Sequence, residues 1–134
     1  MSHVLPDIIN KILKGQDPLR ILGTGEQVRC YTNGKDIARG IRMALESDRA
    51  LNEDFNISTP VATSVKELSK VVWNILNPGK EFSTVSDEAY EYDVQKRIPD
   101  VSKAKNILGF EAQISLEDSV NEVLEYMVNK NNEA

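Results

Sequence analysis

Segments that read as strands in this chain are short, and amphipathic helices or long loops separate nearly all of them. A chain built this way cannot form a sandwich or a helical bundle; it has to bury single strands among helices, the mixed α/β solution. Val4 to Lys14 carries Leu5, Ile8, Ile9, Ile12 and Leu13 at helical spacing, and Gly15 stops it. Arg20-Ile21-Leu22 and Gln27 to Thr32 are strand candidates joined by Gly23-Thr24-Gly25, which reads as a hairpin turn. Lys35 to Glu46 gathers Ile37, Ala38, Ile41, Ala44 and Leu45 on one stripe. Ser64 and Glu67 form a capping box ahead of Val65, Leu68, Val71, Val72, Ile75 and Leu76, and Asn77-Pro78-Gly79 ends that helix.

Glu81 to Val85 reads as a further strand, and Asp100 or Ser102 caps a short helix that Gly109 terminates. Ser115 opens the last helix, with Leu116, Val120, Val123, Leu124 and Met127 in phase, and residues 129–134 form a polar tail expected to fray. Asp54-Phe55-Asn56-Ile57 is the awkward piece. It reads as a buried strand that needs neighbours, and nothing else in the chain pairs with it convincingly. The pattern predicts one domain over residues 1–134 that belongs to a larger fold.

Composition narrows the function classes. With 16 basic and 21 acidic side chains among 134 residues, the net charge of −5 gives no field for nucleic acid, so no such partner is expected. No apolar run suits a membrane span and no signal pattern opens the chain, which predicts a cytoplasmic protein with no membrane partner. A single cysteine, Cys30, and a single histidine, His3, argue against a disulfide framework or a protein-only transition-metal centre.

Two clusters have the chemistry of a binding site. In a strand, Arg29 and Tyr31 share one face, a guanidinium beside a phenol, which suits phosphate oxygens; an exposed edge strand would look the same. Lys96-Arg97-Ile98-Pro99-Asp100 precedes a helix, so Arg97 can reach a phosphate and Asp100 a ribose hydroxyl, although Pro99 and Asp100 also suffice as turn and cap. Gly23-Thr24-Gly25 lacks the third glycine and the following helix of a dinucleotide loop. Tyr92 and Lys96 have the Tyr-x-x-x-Lys spacing of an acid–base pair but run into the Pro99 turn rather than along a helix. Cys30 reads as a core thiol, Trp73 as packing, and Glu117, Asp118, Glu122 and Glu125 as a solvated helix face.

The strings His3-Val4-Leu5-Pro6-Asp7-Ile8-Ile9, Gly23-x-Gly25-x-x-Val28-Arg29-x-Tyr31 and Asp36-Ile37-Ala38-Arg39-Gly40-Ile41 resemble the extended short-chain dehydrogenase/reductases. So do Phe55-Asn56-Ile57 and Arg97-x-Pro99-Asp100-x-Ser102-Lys103-Ala104-Lys105-x-x-Leu108-Gly109. These are the NAD-dependent epimerases and dehydratases of nucleotide sugars, and the likeness runs in the family's order from His3 to about Leu124. The resemblance implies the C-terminal, substrate-binding lobe of a Rossmann-type epimerase, without the glycine-rich NAD loop or the catalytic Tyr and Lys. It implies a UDP-type nucleoside diphosphate sugar as ligand, with Arg29 and Arg97 on the diphosphate, Asp100 on the ribose and Tyr31 lining the site. Arg20, Ile21 and Leu22 would contact the base, with a Leu5-Pro6 loop opposite.

Catalysis in the family is hydride transfer from sugar to NAD and back, so this chain alone is expected to bind no cofactor and to be inactive. The reaction type stays open between 4-epimerase, UDP-glucuronate decarboxylase and dTDP-glucose dehydratase. A non-catalytic interaction module, a homodimer or a partner to a separate NAD-binding chain are the alternatives. Asn33-Gly34-Lys35 and Ser58 depart from the family's usual residues where this lobe meets the NAD domain. Met1 falls inside what is a loop in the family, which suggests a truncated gene, a split gene or a cloned fragment.

Overall fold

The computed structural model describes residues 3–88 and 94–132. Helix α1 (Val4–Leu13) leads to β1 (Leu19–Leu22), β2 (Val28–Arg29) and α2 (Gly34–Leu45), then a 3-10 turn at Asp48–Ala50. There follow β3 (Thr63–Ser64), α3 (Val65–Leu76), β4 (Thr84–Asp87), α4 (Ser102–Leu108) and α5 (Leu116–Asn132). The mixed α/β reading holds, and α5 carries helical backbone into the polar stretch that begins at Asn129.

The expected hairpin between β1 and β2 is not formed. β1 pairs in parallel with β4, Leu19 opposite Thr84, while β2 pairs antiparallel with β3, Val28 opposite Ser64. The physical reason lies in the turn. Gly23 and Gly25 both take positive φ, and a Cβ at Gly25 would stand 2.5 Å from the Ile21 Cδ1, so the chain doubles over its own core side chain. The Gly25 carbonyl then accepts from the Lys66 N–H, and the Gln27 carbonyl from the Val65 N–H, which steers β2 onto β3 at the foot of α3.

One core unites α1, α3, α5 and β1. Ile8, Ile9, Ile12, Leu19, Ile21, Leu68, Val72, Trp73 and Val120 are buried in it, as periodicity predicts for each helix. The Trp73 indole donates to the Lys80 carbonyl at 3.2 Å, which satisfies its one polar atom. The capping box at Ser64 and Glu67 is complete, Glu67 accepting from the Ser64 N–H at 2.7 Å.

A second packing centre lies around α2 and α4. Gly40 lets α2 approach Ile57 and Phe110, since a Cβ there would meet Ile57 Cγ2 at 2.4 Å. Residues 54–57 form no strand ladder. Side chains hold them instead: Lys103 of α4 pairs with Glu53 and Asp54 at 2.9 Å, and Asn56 Nδ2 donates to the Asp100 carbonyl at 2.9 Å. The buried Asp36 fixes α2 to the segment before α5. It accepts from the Arg39 guanidinium and the Gln113 and Ile114 N–H groups, each at 2.9 Å.

Burial pushes the Asp36 carboxyl up, but the bonds from Arg39, Ile114 and Gln113 together outweigh it and hold the group below the ordinary carboxylate range. Its contribution to stability is therefore present above the unfolded-state value near ~3.9 and is lost as pH falls through the lower folded value. Asp36→Ala is expected to cost roughly 3 kcal/mol at pH 7, the order found when one partner of a buried pair is removed. Urea unfolding at pH 7 and at pH 3 checks this: the variant should lose less on acidification than the unaltered chain, and equal losses would contradict it.

Candidate functional site

Val28 is where the site is assembled. Its N–H donates to the Gln95 carbonyl at 2.8 Å and its carbonyl accepts from the Arg97 N–H at 3.0 Å, with Val28 and Lys96 in parallel register. One residue further along the two segments come Arg29 and Arg97. The backbone pairing thus joins the segments that carry two arginines remote in sequence, with Lys96 and Arg97 exposed. The Arg29 Nη1 also donates to the Val28 carbonyl at 2.8 Å, which fixes one end of its guanidinium.

Asp100 follows from the same segment. Its Oδ1 accepts from the Ser102 N–H at 2.9 Å, and the bonds from Ser102 hold the exposed carboxyl below its ordinary range. The N-cap of α4 is Val101, with no side-chain cap bond, so neither Asp100 nor Ser102 takes the expected cap position; Asp100 stands one residue earlier and bonds the first helical N–H. Asn56, through the Asp100 carbonyl, sets where this residue sits. No sequence signal marked Asn56 for that task.

Tyr31 lines a cavity of about 620 Å³ together with Leu5, Cys30, Leu68, Leu116 and Val123. Its Oη is buried and makes no hydrogen bond among the described residues. Burial pushes the phenol up, and the Arg29 charge offsets part of that. Cys30, expected in the core, is half-buried on this wall, and burial raises its thiol. At the mouth, Glu122 of α5 accepts from Lys35 at 2.6 Å and from Asn33 at 3.2 Å, so this acid of the expected solvated face is tied down.

A narrower slot of about 70 Å³ runs between α1 and the outer edge of β1. Arg20, Ile21 and Leu22 form one side. Opposite stand Val4, Asp7, Ile8 and Lys11 rather than Leu5 and Pro6, which lie in the first turn of α1 and not in a loop. The Arg20 guanidinium turns away to pair with Asp87 on β4. Tyr92, the partner of Lys96 in the acid–base spacing, lies outside the described residues. Lys96 itself is exposed on the segment bridged to Val28.

A dinucleotide does not fit the glycine turn. The space a pyrophosphate would need beside Gly25 holds the Ile21 side chain, and the chain leaves the turn into β2 rather than into a helix N-terminus. No step of NAD chemistry is assigned to this chain's residues.

The family model described as GDP-mannose 4,6 dehydratase matches residues 1–123. A putative UDP-glucose 4-epimerase of Methanocaldococcus jannaschii is 33% identical over 97% of this chain and 40% of its own length. UDP-glucuronic acid decarboxylase 1 of Xenopus tropicalis is 28% identical over 93% of this chain and 28% of its own. Among solved structures, the UDP-glucose 4-epimerase of Thermotoga maritima with UDP-glucose aligns with a TM-score of 0.81 at 33% identity, covering 96% of this chain and 40% of that one. The UDP-glucuronic acid 4-epimerase of Bacillus cereus, in complex with UDP-glucuronic acid and NAD, aligns at 0.78 with 26% identity, over 90% and 38%. The chain belongs to the NAD-dependent epimerase/dehydratase family of nucleotide-sugar enzymes, and it spans less than half the length of these relatives. Its fold is that of part of the epimerase fold, as the motif order implies.

The orphaned phenol gives a direct test. Tyr31→Phe removes a buried polar atom that has no partner, so it is expected to leave the thermal midpoint unchanged or raise it by up to about 4 °C, the equivalent of about 1 kcal/mol. Differential scanning calorimetry measures it; a fall of that size would mean that the hydroxyl is bonded in the folded chain.

Proposed function

We propose that this chain is the nucleotide-sugar-binding part of an epimerase or dehydratase, holding a UDP-type diphosphate and performing no turnover alone. The observation that carries the reading is the backbone pairing of Val28 with residues 95–97, which joins the segments carrying Arg29 and Arg97. Two guanidinium groups on paired segments offer the forked donors a diphosphate needs, and Asp100 further along the chain offers a carboxylate for a ribose hydroxyl. The β1 edge and its slot lie where the resemblance puts the base. The structures with UDP-glucose and UDP-glucuronic acid support a ligand of this class. Which sugar is transformed, and whether by epimerisation, decarboxylation or dehydration, belongs to the parts of the relatives that this chain does not cover.

In this reading the chain's work is binding and orientation. The arginines neutralise the diphosphate, the slot takes the base, and the sugar projects toward whatever carries the redox chemistry. Isothermal titration with UDP is expected to show saturable binding that Arg97→Ala weakens at least tenfold, the order expected for a lost charge-assisted pair. With UDP-glucose and NAD the purified chain should give no epimer. Binding indifferent to Arg97, or turnover by the chain alone, would contradict the reading.

A second reading, an interaction module, has its own observation. Ile41, Leu45 and Leu51 are 52%, 83% and 78% exposed and adjoin a shallow apolar hollow lined by Phe55 and Ile57. Such a face suits a second copy or a separate NAD-binding chain, and the family departures at Asn33-Gly34-Lys35 and Ser58 lie in neighbouring segments. Under this reading the chain sediments as a dimer that Leu45→Lys dissociates; a monomer before and after the substitution would remove it.

A further inference from the structure

The two ends of the candidate nucleotide site are held by different parts of the fold. Arg97 is fixed through its N–H, which the Val28 carbonyl accepts at 3.0 Å. Asp100 is fixed from elsewhere: its carbonyl accepts from the Asn56 Nδ2 at 2.9 Å, and its Oδ1 accepts from the Ser102 N–H at 2.9 Å. Ser102 opens α4, whose N-cap, Val101, makes no side-chain cap bond. The start of this short helix is therefore held by Asp100 and by contacts from outside it. Lys103 makes those contacts. Its ammonium pairs with Glu53 and Asp54 at 2.9 Å each and lies 5.6 Å from the centre of the Phe55 ring. Residues 53–56 thus grip the first turn of α4, whose next residue, Ala104, is fully buried.

We propose that Lys103 and Asn56 are positioning residues of the nucleotide site, holding the Asp100 carboxylate at the separation from Arg97 that a ribose and its diphosphate require. This rests on the binding reading above and adds to it the residues that set the spacing. Only Ile98 and Pro99 stand between Arg97 and Asp100, and the proline ring fixes one of the torsions that separate them. So short a link passes any shift of α4 on to Asp100. A hydrogen bond to a ribose hydroxyl weakens steeply outside a narrow range of distance and angle. The attraction between guanidinium and phosphate falls off slowly with distance, so the diphosphate is less demanding. Loosening α4 is therefore felt at the ribose and not at the diphosphate. A single exposed ion pair would hold little. Lys103 instead meets two carboxylates and a ring face, carried by three successive residues of one segment.

The test compares UDP with 2′,3′-dideoxy-UDP, which keeps the base and the diphosphate and lacks the ribose hydroxyls. Isothermal titration is run on the unaltered chain and on Asn56→Ala, Lys103→Met and Lys103→Arg. Asn56→Ala and Lys103→Met are each expected to lose UDP affinity about fivefold, the order of one net hydrogen bond. Both should bind the dideoxy nucleotide as the unaltered chain does, which also reports that they are folded. Lys103→Arg keeps the cation for both carboxylates and the ring, and should restore UDP affinity. Equal losses for the two nucleotides, or no loss for either, overturn the positioning role and leave the binding reading in place. Equal affinity of the unaltered chain for both nucleotides takes Asp100 off the ribose and overturns the role with it. No binding of either by the unaltered chain overturns the binding reading and the inference together.

Discussion

The backbone of Val28 is the interaction on which the candidate site depends. Residues 27 and 29 face β3 at the start of α3, and Val28 itself faces the segment at 95–97, so this two-residue strand joins pieces of chain from three regions. Without it Arg97 and Asp100 would hang on a surface loop. With it their segment is tied to β2, which β3 in turn joins to the start of α3, anchored in the core by Leu68, Val72 and Trp73. A single bonded residue can do this because the elements on either side are rigid for independent reasons: a complete capping box at Ser64, and the Asp100–Ser102 and Asn56–Asp100 bonds at α4.

The molecule therefore divides its labour. The core around α1, α3 and α5 is closed and apolar, whereas the packing around α2 and α4 leaves an apolar face at Ile41, Leu45 and Leu51 in water. Residues 54–57 lie between these conditions, with Ile57 locked under Gly40 yet their backbone in no ladder. A segment with strand character and no strand partner is what a fold looks like when its sheet is built from elsewhere. That agrees with a family likeness that covers nearly the whole of this chain and less than half of its relatives.

Much of this was legible beforehand, because local physics governs it. The helices announce themselves by period, and the Ser64–Glu67 cap by its spacing. The isolation of residues 54–57 could be read from the want of a neighbour. What failed was the pairing of β1 and β2. Gly23-Thr24-Gly25 has hairpin composition, but the turn is filled by Ile21 and bonded to α3, and neither fact is local. The same limit applies at the site. Arg29 and Arg97 were each marked by residue type, yet what joins their segments is the pairing of Val28 with residues 95–97, about half the chain away. Nothing in the sequence reading marked Lys11; its hold on the Arg20 carbonyl required knowing which edge of β1 faces α1.

In the proposed reading a nucleotide half-site persists in this lobe by itself. A crystal structure of the chain grown with UDP tests it most directly. The diphosphate is expected between Arg29 and Arg97, and the nucleotide base in the slot between α1 and β1. Nucleotide found instead in the Tyr31 cavity, or a diphosphate that touches neither arginine, would contradict it.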